Sequence, residues 1–213
     1  MNTELTEIAI VLDRSGSMAS MAKEAVGGFN GFLESQQKLP GDARLTLVLF
    51  DHEYIVTYDG RPIKDVPPLD GHTYVPRGTT ALLDAIGRTI NTIGERLDKT
   101  PEPDRPGKVL IVILTDGLEN ASQEFKRNQI YSMIKHQREK YAWEFIFLGA
   151  NQDAIHAGSV IGIPASNAAT FVAEPGGASE AFAAIACATA AYRASAPNYA
   201  EHLKKATKKK QSV

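Results

Sequence analysis

Apolar residues in this chain fall into short unbroken runs, separated by stretches in which they recur at helical spacing. Ile8-Ala9-Ile10-Val11-Leu12, residues 45–50 and residues 108–115 are runs of the first kind. A strand covered on both faces reads this way, and the third run, with Val-Leu-Ile-Val-Ile-Leu, is the most apolar and predicts a central parallel strand. Residues 143–148 and 167–172 predict two more strands. Between the runs, Met18, Met21, Ala22, Ala25, Phe29, Phe32 and Leu33 recur at helical spacing. Residues 81–97 form an amphipathic pattern, and residues 125–141 set Ile130, Met133, Ile134 and Tyr141 on one side. Residues 153–161 predict a short helix, and residues 179–194 an Ala-rich one with Ser179 as its N-cap. The connection Asp51-His52-Glu53 is too short for a crossover, so the strand at residues 54–58 must pair antiparallel with the one before it. Strands alternating with helices predict an α/β fold: a Rossmann-like, doubly wound, mostly parallel six-stranded sheet with one antiparallel edge strand and helices on both faces.

Length and composition sharpen this picture. The 213 residues, 43% hydrophobic, supply one sizeable core, so residues 1–198 read as a single domain and residues 199–213 as a Lys-rich, polar, flexible tail carrying Lys204, Lys205, Lys208, Lys209 and Lys210. Residues 59–79, with Pro62, Pro67, Pro68 and Pro76, read as one long loop, and such loops are often functional. A net charge of -2 provides no global basic field for nucleic acid. Cys187 is the one cysteine, which excludes an intramolecular disulfide and a thiolate metal site and reads as a small core residue. No basic stretch leads into an apolar segment at the N-terminus, and no run is long enough to span a membrane, which points to the cytoplasm. The sequon Asn120-Ala121-Ser122 therefore carries no weight. His52, His72, His136, His156 and His202 show no shared metal spacing, and Trp143 reads as core. Tyr54, Tyr58 and Tyr74 suit either edge packing or an aromatic contact surface. No Gly-x-Ser-x-Gly elbow and no phosphate-binding Gly-Lys-Ser/Thr loop occurs.

The chemistry concentrates at Asp13-Arg14-Ser15-Gly16-Ser17, on the turn between the first strand and the first helix. In open α/β sheets ligands bind at such turns. A carboxylate and two hydroxyls, without Cys or His, are hard donors suited to Mg²⁺ rather than zinc. On this segment alone a helix-capping role for either serine, and a loop role for Asp13, stay open. The pattern Asp-x-Ser-x-Ser resembles the metal-ion-dependent adhesion site of von Willebrand factor type A domains. Arg77-Gly78-Thr79-Thr80-Ala81-Leu82-Leu83-Asp84 resembles the segment that supplies that site's threonine, with Thr80 the better match, and Leu114-Thr115-Asp116-Gly117 resembles the one that supplies its second aspartate. The resemblance extends over residues 4–194.

It implies a metal site of Asp13, Ser15, Ser17, Thr80 and Asp116, in which the hydroxyls bind directly and the aspartates act through water or hydrogen bonds. The cofactor implied is Mg²⁺, with Mn²⁺ or Ca²⁺ as alternatives. An ion held by neutral hydroxyls keeps much of its charge and so attracts a Glu or Asp carboxylate from a partner protein. The function implied is an intracellular protein-binding module of stand-alone bacterial or phage type, not an enzyme, with an AAA+ ATPase or a stress- or defence-system component as candidate partner. The last helix, residues 179–194, corresponds to the element that shifts in switched family members. Asp84 is read as structural, in the first turn of its helix where negative charge is favoured. Glu119 and Asn120 read as a solvated loop, or alternatively as the rim of the site. The rival function is a Mg²⁺-dependent phosphatase or hydrolase with Asp13 as nucleophile. Against it, Ser15 replaces the second aspartate of the usual Asp-x-Asp, and no general acid is evident.

Overall fold

In the computed structural model, which describes residues 1–150, 153–174 and 176–205, the apolar runs form one six-stranded sheet. The strands are β1 (Asn2–Asp13), β2 (Asp42–Phe50), β3 (Tyr54–Pro62), β4 (Pro106–Thr115), β5 (Glu144–Ala150) and β6 (Ala168–Phe171). They lie in the order β3-β2-β1-β4-β5-β6, all parallel except β3, which runs antiparallel to β2 at the edge. The helices are α1 (Ala22–Gln37), α2 (Leu82–Lys99), α3 (Arg127–Tyr141), α4 (Ala154–Ser159) and α5 (Gly177–Arg193).

Successive side chains of a strand point to opposite faces, so one strand serves two cores. Ile8, Ile10 and Leu12 of β1 join Phe29, Phe32 and Phe182 beneath α1 and α5. Ala9 and Val11 join Ile86, Ile90 and Ile130 beneath α2 and α3. Close approach of α1 and α5 depends on Gly28: a Cβ there would lie 2.6 Å from Cδ2 of Phe182. Midway along β1, the wholly buried Glu7 accepts hydrogen bonds from Arg96 (2.9 and 3.1 Å) and from the Thr46 hydroxyl (3.0 Å). Arg96 also pairs with Asp59, which ties α2 to three strands.

The order reverses at β1, whose neighbours are β2 on one side and β4 on the other. The helices that follow β1 and β4 leave to opposite faces, α1 to one and α3 to the other. That divergence opens a crevice at the carboxyl ends of β1 and β4, where α/β sheets bind ligands.

Several local expectations are corrected. Met18 and Met21 lie on a buried-facing 3-10 segment, Gly16–Met21, and α1 begins only at Ala22. Of the residues expected on the inner side of α3, Ile130 and Ile134 are buried, but Tyr141 is exposed. Helix α5 starts at Gly177, with Gly176 at the cap (φ 94°), so Ser179 lies inside the first turn rather than capping it. Cys187 is exposed, because the buried face of α5 is Ala178, Ala181, Phe182, Ile185 and Ala188. The long loop is shortened by β3, which runs to Pro62, and by a 3-10 turn at Ile63–Asp65. Residues assigned to the tail also differ: Tyr199–Lys205 forms a 3-10 segment, Leu203 is fully buried, and the Tyr199 hydroxyl donates to Glu144 (2.8 Å). Lys208, Lys209 and Lys210 lie outside the described residues. No helix among the described residues is long and apolar enough to cross a membrane.

Candidate metal centre

Strand β1 delivers Asp13 to the crevice with its side chain fully buried. One carboxylate oxygen accepts the Ser15 N–H (2.6 Å) and the other accepts the Thr115 hydroxyl (2.5 Å). The backbone carbonyl of Asp13 accepts the phenol of Tyr74 (2.5 Å), a buried residue of the loop before α2. The chain then curls into the 3-10 segment, which sets Oγ of Ser15 and Oγ of Ser17 only 3.1 Å apart. Neither serine caps a helix through its side chain. Ser15 is buried and Ser17 exposed. Ser17 donates to Oδ1 of Asp116 (2.7 Å), just past the end of β4, across 99 positions of sequence.

Thr80 arrives from a third segment. The Arg77 N–H donates to the Arg14 carbonyl (2.8 Å) and the Gly16 N–H to the Gly78 carbonyl (3.1 Å), which lays residues 77–80 along the first loop. A Cβ at Gly117 would come within 2.8 Å of Oγ1 of Thr80, so the threonine hydroxyl lies directly against the residue after Asp116. That hydroxyl makes no hydrogen bond among the described residues, whereas the Thr80 backbone is held at both its N–H and its carbonyl by Asn120. The structure thus brings Asp13, Ser15, Ser17, Thr80 and Asp116 together at the switch point.

Two carboxylates share this crevice. Burial pushes the Asp13 carboxyl up to about 6 from 3.8, opposed by the Thr115 and Ser15 hydrogen bonds and reinforced by the charge of Asp116. Burial also raises Asp116, opposed by the hydrogen bond from Ser17. Neither forms an ion pair with a protein cation among the described residues, because Arg14, the nearest in sequence, turns away to Asp51 (3.1 Å). Arg77 also pairs with Asp51 (3.0 Å) and with Glu53. The donors are all hard oxygens, two carboxylates and three hydroxyls; among the described residues no group of three or more His, Cys, Asp or Glu side chains gathers, here or elsewhere. This chemistry fits a small divalent cation that prefers oxygen. A cleft of about 620 Å³ lies at the other end of the sheet, lined by Thr3, Glu4, Lys108 and Arg193. Its cations already donate to carbonyls, Lys108 to Arg193 and Arg193 to Gln36, Pro40 and Gly41, so the cleft is not built around an open charge.

Residues that sequence reasoning missed are those that hold the donors. Thr115 and Tyr74 fix Asp13. Asp84 lies in the first turn of α2, and its carboxylate also accepts the N–H groups of Gln123, Glu124 and Phe125 (2.8 to 3.0 Å). Glu119 is no solvated loop residue; it accepts the N–H groups of Leu83, Ala121 and Ser122 and the Ser122 hydroxyl (2.7 to 3.0 Å). Tyr54, Tyr58 and Tyr74 form no common surface, since Tyr74 is buried while Tyr54 and Tyr58 bond to Thr89 and Pro67 on the β3 side.

Sheet order, antiparallel edge and two-sided helices define the fold of von Willebrand factor type A domains, and the resemblance drawn from the motifs holds at that level. Among solved structures the chain is similar to proximal thread matrix protein 1 from the mussel byssus, at 14% identity and a TM-score of 0.60, over 87% of this chain and 48% of that one. Another structure of the mussel protein, with a zinc-occupied MIDAS motif, matches at 13% identity and a TM-score of 0.60 over 87% and 48% of the two chains. A von Willebrand factor type A protein from Catenulispora acidiphila matches at 16% identity and a TM-score of 0.54, over 86% of this chain and 42% of that one. The chain therefore spans less than half the length of these solved chains, and at such identities the likeness is one of fold. No family model and no curated protein matches the sequence.

Proposed function

We propose that this chain is a protein-binding module that holds Mg²⁺ through the hydroxyls of Ser15, Ser17 and Thr80, with Asp13 and Asp116 behind them, and docks a Glu or Asp side chain of a partner. The observation that carries this reading is the convergence of three distant segments on one cluster of hard oxygen donors containing two carboxylates without a protein cation. When bound, the ion would supply a positive centre able to accept an external carboxylate. Asp13 orients the first loop by accepting the Ser15 N–H, and Asp116 orients the Ser17 hydroxyl. The zinc reported at the MIDAS motif of the mussel protein supports a metal role for the corresponding fold position. The phosphatase alternative loses support at Asp13, whose carboxylate is fully buried and accepts the Ser15 N–H on one oxygen and the Thr115 hydroxyl on the other.

The test is Mg²⁺ titration by calorimetry of the wild type and of a Ser15→Ala, Ser17→Ala double variant. The expected result is binding by the wild type and at least about a tenfold loss in the variant, with an unchanged circular dichroism spectrum. Equal binding by both proteins would refute the assignment.

A further inference from the structure

We propose that Asn120 is a positioning residue of this centre, which fixes Thr80 relative to Asp116; the inference rests on the metal reading above. Thr80 precedes α2, and the cap position of that helix, Ala81 (φ -91°, ψ 62°), offers no side-chain acceptor. The first N–H groups of a helix need partners from outside it. Here the loop after β4 supplies them: Leu83 N–H donates to Glu119 (2.8 Å) and Asp84 N–H to the Ser122 hydroxyl (3.1 Å). Asp84 answers by accepting three N–H groups of the same loop.

Asn120 closes this seam next to the donors. Its Oδ1 accepts the Thr80 N–H (2.9 Å), and its own N–H donates to the Thr80 carbonyl (3.1 Å). The peptide groups on both sides of Thr80 are therefore clamped to a residue four positions beyond Asp116. The threonine hydroxyl and the second aspartate sit on one stitched body, whereas the first loop reaches that body through Ser17–Asp116 and Gly16–Gly78. Metal donors act well only when their supports hold them to within about 0.5 Å, and loss of such a support typically costs about 10–100-fold in metal affinity. Asn120 is exposed and contributes one side-chain bond to a seam of many, so its truncation leaves the fold in place while releasing the Thr80 N–H; the backbone bond to the Thr80 carbonyl stays.

The experiment compares wild type, Asn120→Ala and Asn120→Asp for Mn²⁺ affinity, read by water-proton relaxation, and for thermal unfolding without metal. Asp retains an oxygen at the position that accepts the Thr80 N–H; Ala does not. The expected result is about tenfold weaker Mn²⁺ binding in Asn120→Ala, rescue to within about threefold of wild type in Asn120→Asp, and cooperative unfolding in all three. Wild-type affinity in Asn120→Ala, with or without a lower melting temperature, would overturn the inference and leave the metal site standing. Weak binding in both variants would overturn it as well, because the acceptor oxygen would then not be the cause. A wild type that binds no Mn²⁺ would remove the metal reading itself, and this inference with it.

Discussion

A divalent cation at this centre has to compete with the proton on Asp13. In the folded protein that carboxyl sits at about 6, raised from 3.8 first by burial. From this group alone, the ionised fraction falls from about nine-tenths near pH 7 to about one-tenth near pH 5, so apparent metal affinity should fall about tenfold over that interval. Asp116, raised in the same direction, adds to the fall. Calorimetric titration with Mg²⁺ in two buffers of different ionisation enthalpy measures both affinity and protons released. About half a proton per ion should be displaced from Asp13 near pH 6. The Asp13→Asn variant should lose that release. Affinity that stays constant between pH 7 and pH 5 would refute the reasoning, because it would mean that Asp13 is already ionised or does not sense the ion.

The same group makes a linked statement about stability. The folded value lies above the unfolded one, so protonated Asp13 stabilises the metal-free fold fully below about pH 4, and that contribution is lost as pH rises through about 6. The rise from 3.8 to about 6 corresponds to about 3 kcal/mol. The metal-free protein should therefore melt lower at pH 7 than at pH 5 on account of this residue, and Mg²⁺ should reverse the trend by favouring the ionised form.

Two further substitutions test the scaffold. Gly28→Ala places a methyl group 2.6 Å from the Phe182 ring and should cost about 1–3 kcal/mol in urea unfolding by forcing α1 and α5 apart. Arg96→Met leaves the buried Glu7 carboxylate without its cation and should cost about 3–5 kcal/mol by the same measurement.

Much of the fold was legible because a parallel sheet covered on both sides needs uninterrupted apolar runs, and β1, β2 and β4 have them. The antiparallel edge followed from the length of one turn. The errors fall where contrast is low. In α5, alanines on every side hide which face is inward, so Cys187 could be placed inside although Ala184, Ile185 and Ala188 carry the packing around it. At Tyr199–Lys205 the charged residues mask one buried leucine and one anchoring tyrosine, which fix the segment. The five candidate donors were legible because each lies in a local motif at a strand end or helix start. Their supports were not. Asn120 meets Thr80 across 40 positions, Tyr74 meets Asp13 across 61, and Thr115 meets Asp13 across 102. None of these pairings has a periodicity or a spacing that one segment could reveal.

The supports also explain why charge remains at one place in the crevice and nowhere beside it. Acidic groups crowd the carboxyl end of the sheet, yet each neighbour of the cluster is answered by the protein itself. Asp51 faces Arg14 and Arg77. Asp84 is surrounded by three backbone N–H groups, and Glu119 by three more and a hydroxyl. Asp13 and Asp116 receive only neutral hydroxyls and backbone N–H groups, too little to offset burial, and both carboxyls are raised in consequence. Two desolvated carboxylates in one crevice repel each other, and a pair of this kind either keeps a proton or takes a cation. The arginine that stands between Asp13 and Ser15 in sequence would have been the simplest internal counterion. Its turn towards Asp51 leaves the cluster without that counterion, which is the property the proposed metal-bridged docking requires.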